Sequence, residues 1–237
     1  MRAMSALVAL CVLLPGAAAQ ADPVKLVAFE LYPWMYAKDG TPAGSAVATV
    51  LEATADLPVA RTIEFQPIPR ILQSLAEDEA IVVALGRNAE RESLGQWVAE
   101  LFRDDYVFAT TSDHPTVKNW EDAAKLRAIG SNSAGAPERL LKSRGLTNLE
   151  SSNSVRLSAK KLEAGRIDAW FDAASGIRAT WKAENFPADR LVIGPSMGEA
   201  TLWVTASRKV APELVEKLRA NLAKLKTDGR YPQNLVN

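Results

Sequence analysis

Cysteine and histidine are almost missing from this chain: 237 residues contain one of each, Cys11 and His114. Cys11 sits inside an N-terminal apolar run, so the rest of the chain has no disulfide, thiolate metal site or cysteine nucleophile. His114 lies in a Ser112-Asp113-His114-Pro115 loop that reads as an exposed linker, with no supporting motif for a Ser-His-Asp apparatus. No His/Glu cluster has metal-ligand spacing. No catalytic residue, metal or cofactor is therefore expected. A charge excess is missing too. Lys+Arg number 28 and Asp+Glu 28, a balance that argues against nucleic acid or a charged membrane surface as partner. No apolar run is long enough to span a bilayer, and no internal repeat or low-complexity segment stands out.

The first 21 residues read as a cleavable export signal. Arg2 supplies the positive n-region, residues 5–14 the apolar core, Pro15-Gly16 the break, and Ala19-Gln20-Ala21 a small-x-small cleavage site before Asp22. Cys11 follows the bulky Leu10 within that apolar core, so it reads as a residue lost on cleavage rather than a lipid-attachment site. Cleavage would leave 216 residues (237 − 21), with Lys+Arg 27 against Asp+Glu 28 and a net charge of about −1. The expected product is soluble and lies in the periplasm.

What the chain does have is alternation. Apolar runs of strand length alternate with amphipathic stretches, which predicts an α/β architecture. Strands are expected near 24–29, 62–66, 80–85, 106–110, 127–130, 167–171, 191–193 and 201–205. Helices are expected over 44–55, around Ile71, Leu72 and Leu75, and over 120–125 and 137–143. Another runs from a Ser154 cap to 163, and the last carries the stripe Leu214, Leu218, Leu222 and Leu225 behind Pro212. The buried strand at 80–85 ends in Leu85-Gly86-Arg87-Asn88-Ala89-Glu90-Arg91. In open α/β sheets ligands bind at the carboxyl ends of strands, and a guanidinium is a planar fork matched to carboxylate or phosphate. The motif predicts capture of a small anionic group. The competing readings are a helix-start Arg91 paired with Glu90 or Glu92, and a surface ion pair for Arg87.

The order of these signals resembles the bacterial extracellular solute-binding proteins of family 3, the amino-acid type with a type II periplasmic-binding fold. The pieces that carry the resemblance are Leu31-Tyr32-Pro33-Trp34 with Lys38-Asp39-Gly40, then Asn88-Ala89-Glu90-Arg91, a variant of the family's Thr-x-Glu-Arg. The run 162–169, Leu-Glu-Ala-Gly-Arg-Ile-Asp-Ala, and the ending Leu225-Lys226-Thr227-Asp228-Gly229 complete it. The resemblance implies two α/β lobes joined by two crossover strands around a ligand cleft. Residues 22–110 and 199–237 would form one lobe and 111–198 the other.

By the same resemblance, Arg91 would pair with a ligand carboxylate, and Tyr32, Trp34 and Tyr36 would fall in an aromatic loop against the ligand. Covering the lobe core is the alternative for Tyr32 and Trp34. Gly86 and Asn88 take ligand-binding positions, and Ser133 and Gly135 belong to a loop and helix start whose N–H groups receive an anion. Arg70, after Pro67-Ile68-Pro69, either points to the cleft or caps a helix. The departures concern the amine. The family's amine-binding aspartate falls here on Ala173. The nearby carboxylate, Asp172, is one residue early and in a regular strand would face the other way. Gly86 removes a hydroxyl, and Arg87 adds a positive charge at the cleft. The expected function is capture of a small carboxylate-bearing solute, an amino acid or related anion, by a monomer serving an ABC transporter or a sensor. The alternatives are a periplasmic partner that has lost amino-acid binding and a dehydratase-like enzyme on the same fold.

Overall fold

The structure, a computed structural model, describes residues 23–133 and 135–231. The export-signal reading, with Cys11, lies outside them. The chain begins with β1 (Val24–Ala28), the hairpin of β2 (Tyr36–Lys38) and β3 (Thr41–Ala43), and α1 (Ser45–Ala53). It continues through β4 (Val59–Phe65), α2 (Ile68–Glu77), β5 (Ala80–Gly86) and β6 (Gln96–Thr111). Next come α3 (Trp120–Ala124), β7 (Ile129–Asn132), α4 (Ala136–Ser143), β8 (Leu149–Ser152), α5 (Val155–Glu163), β9 (Ala169–Ala173) and α6 (Ala174–Ala183). The chain returns through β10 (Leu191–Ala206) to α7 (Pro212–Thr227).

The main sheet has eight strands in the order β4-β1-β5-β10-β6-β9-β7-β8. Two parallel wings flank an antiparallel centre. β1 lies parallel between β4 and β5, and β7 parallel between β8 and β9. β6 and β10, 16 residues each, run antiparallel to one another through both halves. Parallel wings need cover on both faces, and period two along the strands supplies it. In the first half, Leu26, Ile81 and Val83 pack with Val50, Leu218 and Leu222, whereas Val27 and Val82 pack with Ile71 and Leu75. In the second half, Val107 and Trp170 meet Leu162, Ile177 and Trp181, while Phe108 and Phe171 meet Ile129 and Leu141. Each such large side chain contributes roughly 1.5–3 kcal/mol on burial.

Several local features depart from the sequence expectation, among them the strand β8 and the helix α6, where no element was expected. The stretches expected as separate strands at 191–193 and 201–205 are one strand, β10. Its register with β6 shifts between Ile193 and Ser196 and again between Ser196 and Glu199, so Pro195 and Gly198 fall at irregular positions of the ladder. The β2–β3 hairpin was also not expected. Asp39 and Gly40 both take positive φ, 52° and 77°, the backbone that closes a two-residue hairpin. Gly44 is required at the entry to α1: its φ is 111°, and a Cβ there would stand 2.2 Å from the Trp34 carbonyl oxygen. That approach locks the loop after β1 against the helix.

Candidate functional site

A cleft of about 1100 Å³ opens between the two halves. Its walls are the carboxyl ends of the parallel strands: Phe29 and Glu30 after β1, Phe65 and Gln66 at β4, Gly86 of β5, Asn132 and Ser133 at β7, Asn153 after β8, and Asp172 and Ala173 of β9. Tyr106 from the middle of β6 and residues 200–202 of β10 complete it. Because the parallel wings point their carboxyl ends at the same gap, loops distant in sequence converge there.

Arg91 reaches this gap through a short local device. The Asn88 side chain accepts the Arg91 backbone N–H at 3.0 Å, capping the 3-10 turn Ala89–Arg91. The side chain then folds back, and its Nη1 donates to the Gly86 carbonyl at 3.1 Å. Arg91 is 8% exposed, and among the described residues no carboxylate lies in ion-pair range of it. Burial, and then the positive charge of Arg139 on α4, hold its pKa below the ordinary arginine value. A buried guanidinium beside a second cation is a costly arrangement until an anion joins it. Opposite, α4 presents its first turn to the cleft through Gly135, Ala136 and Pro137, with no side-chain cap at Gly135. The Gly135 N–H of that turn donates to the Asn132 carbonyl at 3.2 Å, and Pro137 has no N–H.

Asp172 is the buried acid of the cleft, 6% exposed. Its Oδ1 accepts the Ala173 N–H at 2.8 Å, and its Oδ2 has no hydrogen bond of ordinary geometry. Burial pushes its pKa up to about 6, the charge of Asp104 adds to the rise, and the Ala173 N–H and Trp170 indole act against it. Asp104 itself, on β6, accepts the N–H of Ser175 at 3.0 Å and also its hydroxyl, at the start of α6. Burial, followed by the charge of Asp172, raises the pKa of the Tyr106 phenol, which stays protonated.

Raised pKa and stability are linked. The ordinary carboxyl value is 3.8, and the folded value is about 6. The ionised form is thus disfavoured by folding. Its destabilisation is fully present above pH 6, is relieved as pH falls through 6, and is gone below the ordinary value. Asp172→Asn should accordingly raise the melting temperature of the ligand-free protein at pH ~8 and leave it nearly unchanged at pH ~4. Thermal melts at the two pH values test this, and equal shifts at both would contradict the linkage.

The structure brings together Gly86, Arg91, Ser133, Gly135 and Asp172 of the residues named from sequence. Asp172 shares the cleft wall with Ala173 instead of facing away. β9 ends here and Ala173 is already the N-cap of α6, so strict alternation no longer holds. Arg87 is corrected: it does not line the cleft. Its Nε and Nη2 bond to Glu92 at 2.9 and 2.5 Å, and its guanidinium lies 5.3 Å from the Trp97 ring centroid and 4.6 Å from that of Trp203. Trp34 is buried in the first-half core and stacked on Phe102 with centroids 4.2 Å apart. Tyr32 and Tyr36 meet edge to face at 5.0 Å outside the cleft lining. Arg70 is exposed on α2, and the side chain of Asn88 is spent on the turn. Sequence reasoning missed Tyr106 and Arg139, together with Phe29 and Phe65. Phe29 carried a signal, because it closes the largely apolar run of β1 at the carboxyl end of a parallel strand.

No protein-family model matches the chain, and no curated protein matches it. Solved structures do. A mutant of ArgBP from T. maritima superposes with a TM-score of 0.73 at 18% identity, covering 87% of this chain and 91% of the other. A histidine kinase sensor domain with similarity to periplasmic binding proteins gives 0.73 at 18%, covering 88% and 92%. EhuB in complex with hydroxyectoine gives 0.72 at 22%, covering 87% and 84%. The fold is that of the two-lobed periplasmic binding proteins, type II. In such a fold the cleft just described lies between the lobes. Among the described residues no three His, Cys, Asp or Glu side chains gather to hold a metal ion.

Proposed function

We propose that this chain is a binding protein that captures a small carboxylate-bearing solute between its lobes. The observation that carries the reading is Arg91: buried, on the cleft wall, beside a second arginine and without an ion-pair carboxylate among the described residues. Similar structures include an arginine-bound mutant of ArgBP from T. maritima and EhuB in complex with hydroxyectoine, which supports solute capture. In this reading residues 22–110 and 199–237 form one lobe and 111–198 the other. β6 and β10 are the crossovers about which the lobes close, and closure is favoured because a bridging ligand makes both sets of contacts only in the closed state. The exported protein would work in the periplasm as a monomer, delivering solute to an ABC transporter or reporting it to a sensor.

A second reading, a periplasmic partner that has given up amino-acid binding, is favoured by Ala173 and Gly86, which bring no side-chain polar atom to a cleft wall they both line. One screen separates the two. Melting curves with amino acids, monocarboxylates, dicarboxylates, short peptides and inorganic anions are expected to contain at least one carboxylate that raises Tm by roughly 5–10 °C at a hundredfold excess over its Kd. If none does, solute capture fails and the partner reading stands. Turnover of a bound compound would instead make the chain an enzyme.

A further inference from the structure

We infer, resting on the anion-capture reading above, that the cleft selects a carboxylate with an apolar body. The carboxylate sits on Arg91, and an aliphatic or aromatic chain lies over an apolar wall on the same half of the molecule. Ile68 and Leu94 are the specificity-determining residues of that wall.

On the half of the cleft that carries Arg91, the apolar side chains Phe29, Leu31, Phe65, Ile68, Leu72 and Leu94 line the gap, each of them partly exposed. Phe29, Leu31, Phe65 and Leu72 rest on the core clusters beneath, so packing accounts for them. Ile68 and Leu94 pack against none of the core clusters of the described residues, yet both are held in place. The Leu94 N–H donates to the Arg91 carbonyl at 2.9 Å, on the turn that carries the guanidinium. The next residue, Gly95, lies so close to β10 that a Cβ there would stand 2.6 Å from the Ala206 carbonyl oxygen. Ile68 opens α2 between Pro67 and Pro69. All of these belong to one half, so their placement around Arg91 does not depend on how far the cleft opens. Apolar side chains gathered at a concave surface without a core to serve mark a place where apolar matter binds.

The same half is poor in groups that would serve a polar chain. Pro67 and Pro69 bring no N–H to the start of α2, and the Pro67 carbonyl takes the N–H groups of Arg70 and Ile71 at 2.9 and 3.1 Å. The Gln66 amide donates to Glu64 at 3.1 Å, and its Oε1 is buried. Gly86, beside Arg91, has no side chain, and Glu30 and Glu90 are exposed at the rim. The hydroxyls on this side, Thr201 and Tyr106, come from the crossover strands. Asn132, Asn153 and Asp172 stand across the gap on the other half. A polar chain bonded to them would close the cleft with desolvated polar groups facing the apolar wall, a costly match. An apolar chain takes that wall out of water, which is worth about fourfold in affinity for each methylene that reaches it.

Titration calorimetry with two series of growing chain tests the inference. One series is acetate, butyrate, valerate and phenylacetate, with γ-hydroxybutyrate and γ-aminobutyrate as polar counterparts of valerate. The other is glycine, L-alanine, L-leucine and L-phenylalanine, with L-glutamine and L-arginine as polar counterparts. In whichever series binds, affinity is expected to rise by about fourfold per methylene, and the heat capacity of binding to become more negative with each step. The polar counterparts should bind roughly tenfold more weakly, or worse, than valerate or L-leucine. Ile68→Asn and Leu94→Asn should each weaken valerate or L-leucine by about fivefold or more, while acetate or glycine changes less than about twofold. Melting curves of the ligand-free variants check their fold, and the wild-type series decides without them. The inference is overturned if affinity is flat along the series, if a polar counterpart matches its apolar partner, or if both variants bind valerate and L-leucine as the wild type does. In each of those cases, binding that Arg91→Ala abolishes leaves carboxylate capture standing. If none of these probes binds, the inference falls, and the wider screen above decides carboxylate capture.

Discussion

Arg91→Ala is expected to weaken binding of the best carboxylate ligand by about 2–5 kcal/mol, a factor of roughly 30 or more in Kd, because truncating one partner of a buried charged pair leaves the other without compensation. Titration calorimetry of variant and wild type measures it directly. The ligand-free protein should behave in the opposite way. Its Arg91 is buried, held below its ordinary pKa by burial and by Arg139, and joined to the protein mainly through the Gly86 carbonyl. Removing the charge should therefore leave the ligand-free melting temperature unchanged or higher. An arginine kept for structure would give the reverse pattern, a lower ligand-free Tm with affinity preserved. The second half of the prediction thus separates a ligand anchor from a fold anchor without knowledge of the solute.

Trp34→Ala should cost about 3–5 kcal/mol of folding stability, the usual range for emptying a large aromatic site in a packed core. At this chain length the fall in Tm is roughly 10 °C or more. The indole is 2% exposed, stacks on Phe102 and sits among Ala46, Val50 and Leu101. The loop backbone around it is clamped by Gly44 and by the Ala46 N–H, which donates to the Trp34 carbonyl at 3.1 Å. Melting of the ligand-free protein is the decisive measurement. An unaltered melt combined with lost solute binding would return Trp34 to the cleft.

The sequence was most legible where one physical cause acted alone. The run 80–85 is apolar throughout because β5 is covered on both faces, and such a run reads as a buried strand wherever it stands. The stripe of α7 reads equally well, although Val215 is buried beside Leu218, Leu222 and Leu225 while Leu214 is only partly so. Pattern reading failed where two causes compete. Gly194-Pro195 looks like a break, yet β10 runs through it because a long partner strand holds both sides and lets the register slip. Asp172 looked outward-facing because alternation was extended past the residue where β9 becomes α6.

The site divides along the same line. Local sequence determined that a turn after a buried strand would carry Arg87, Asn88 and Arg91, since Asn88 caps the turn from three residues away. It also determined the α/β alternation, because burial period is a property of neighbouring residues. Which arginine faces the cleft was decided by tertiary structure. Arg87 found Glu92 and the faces of Trp97 and Trp203, strands that come together only in the folded sheet, while Arg91 was left to the gap. Tyr106, Arg139 and Asp172 join it there from β6, α4 and β9. Their meeting depends on strand order and on the long antiparallel pair at the centre, and no spacing along the chain encodes a distance across a cleft.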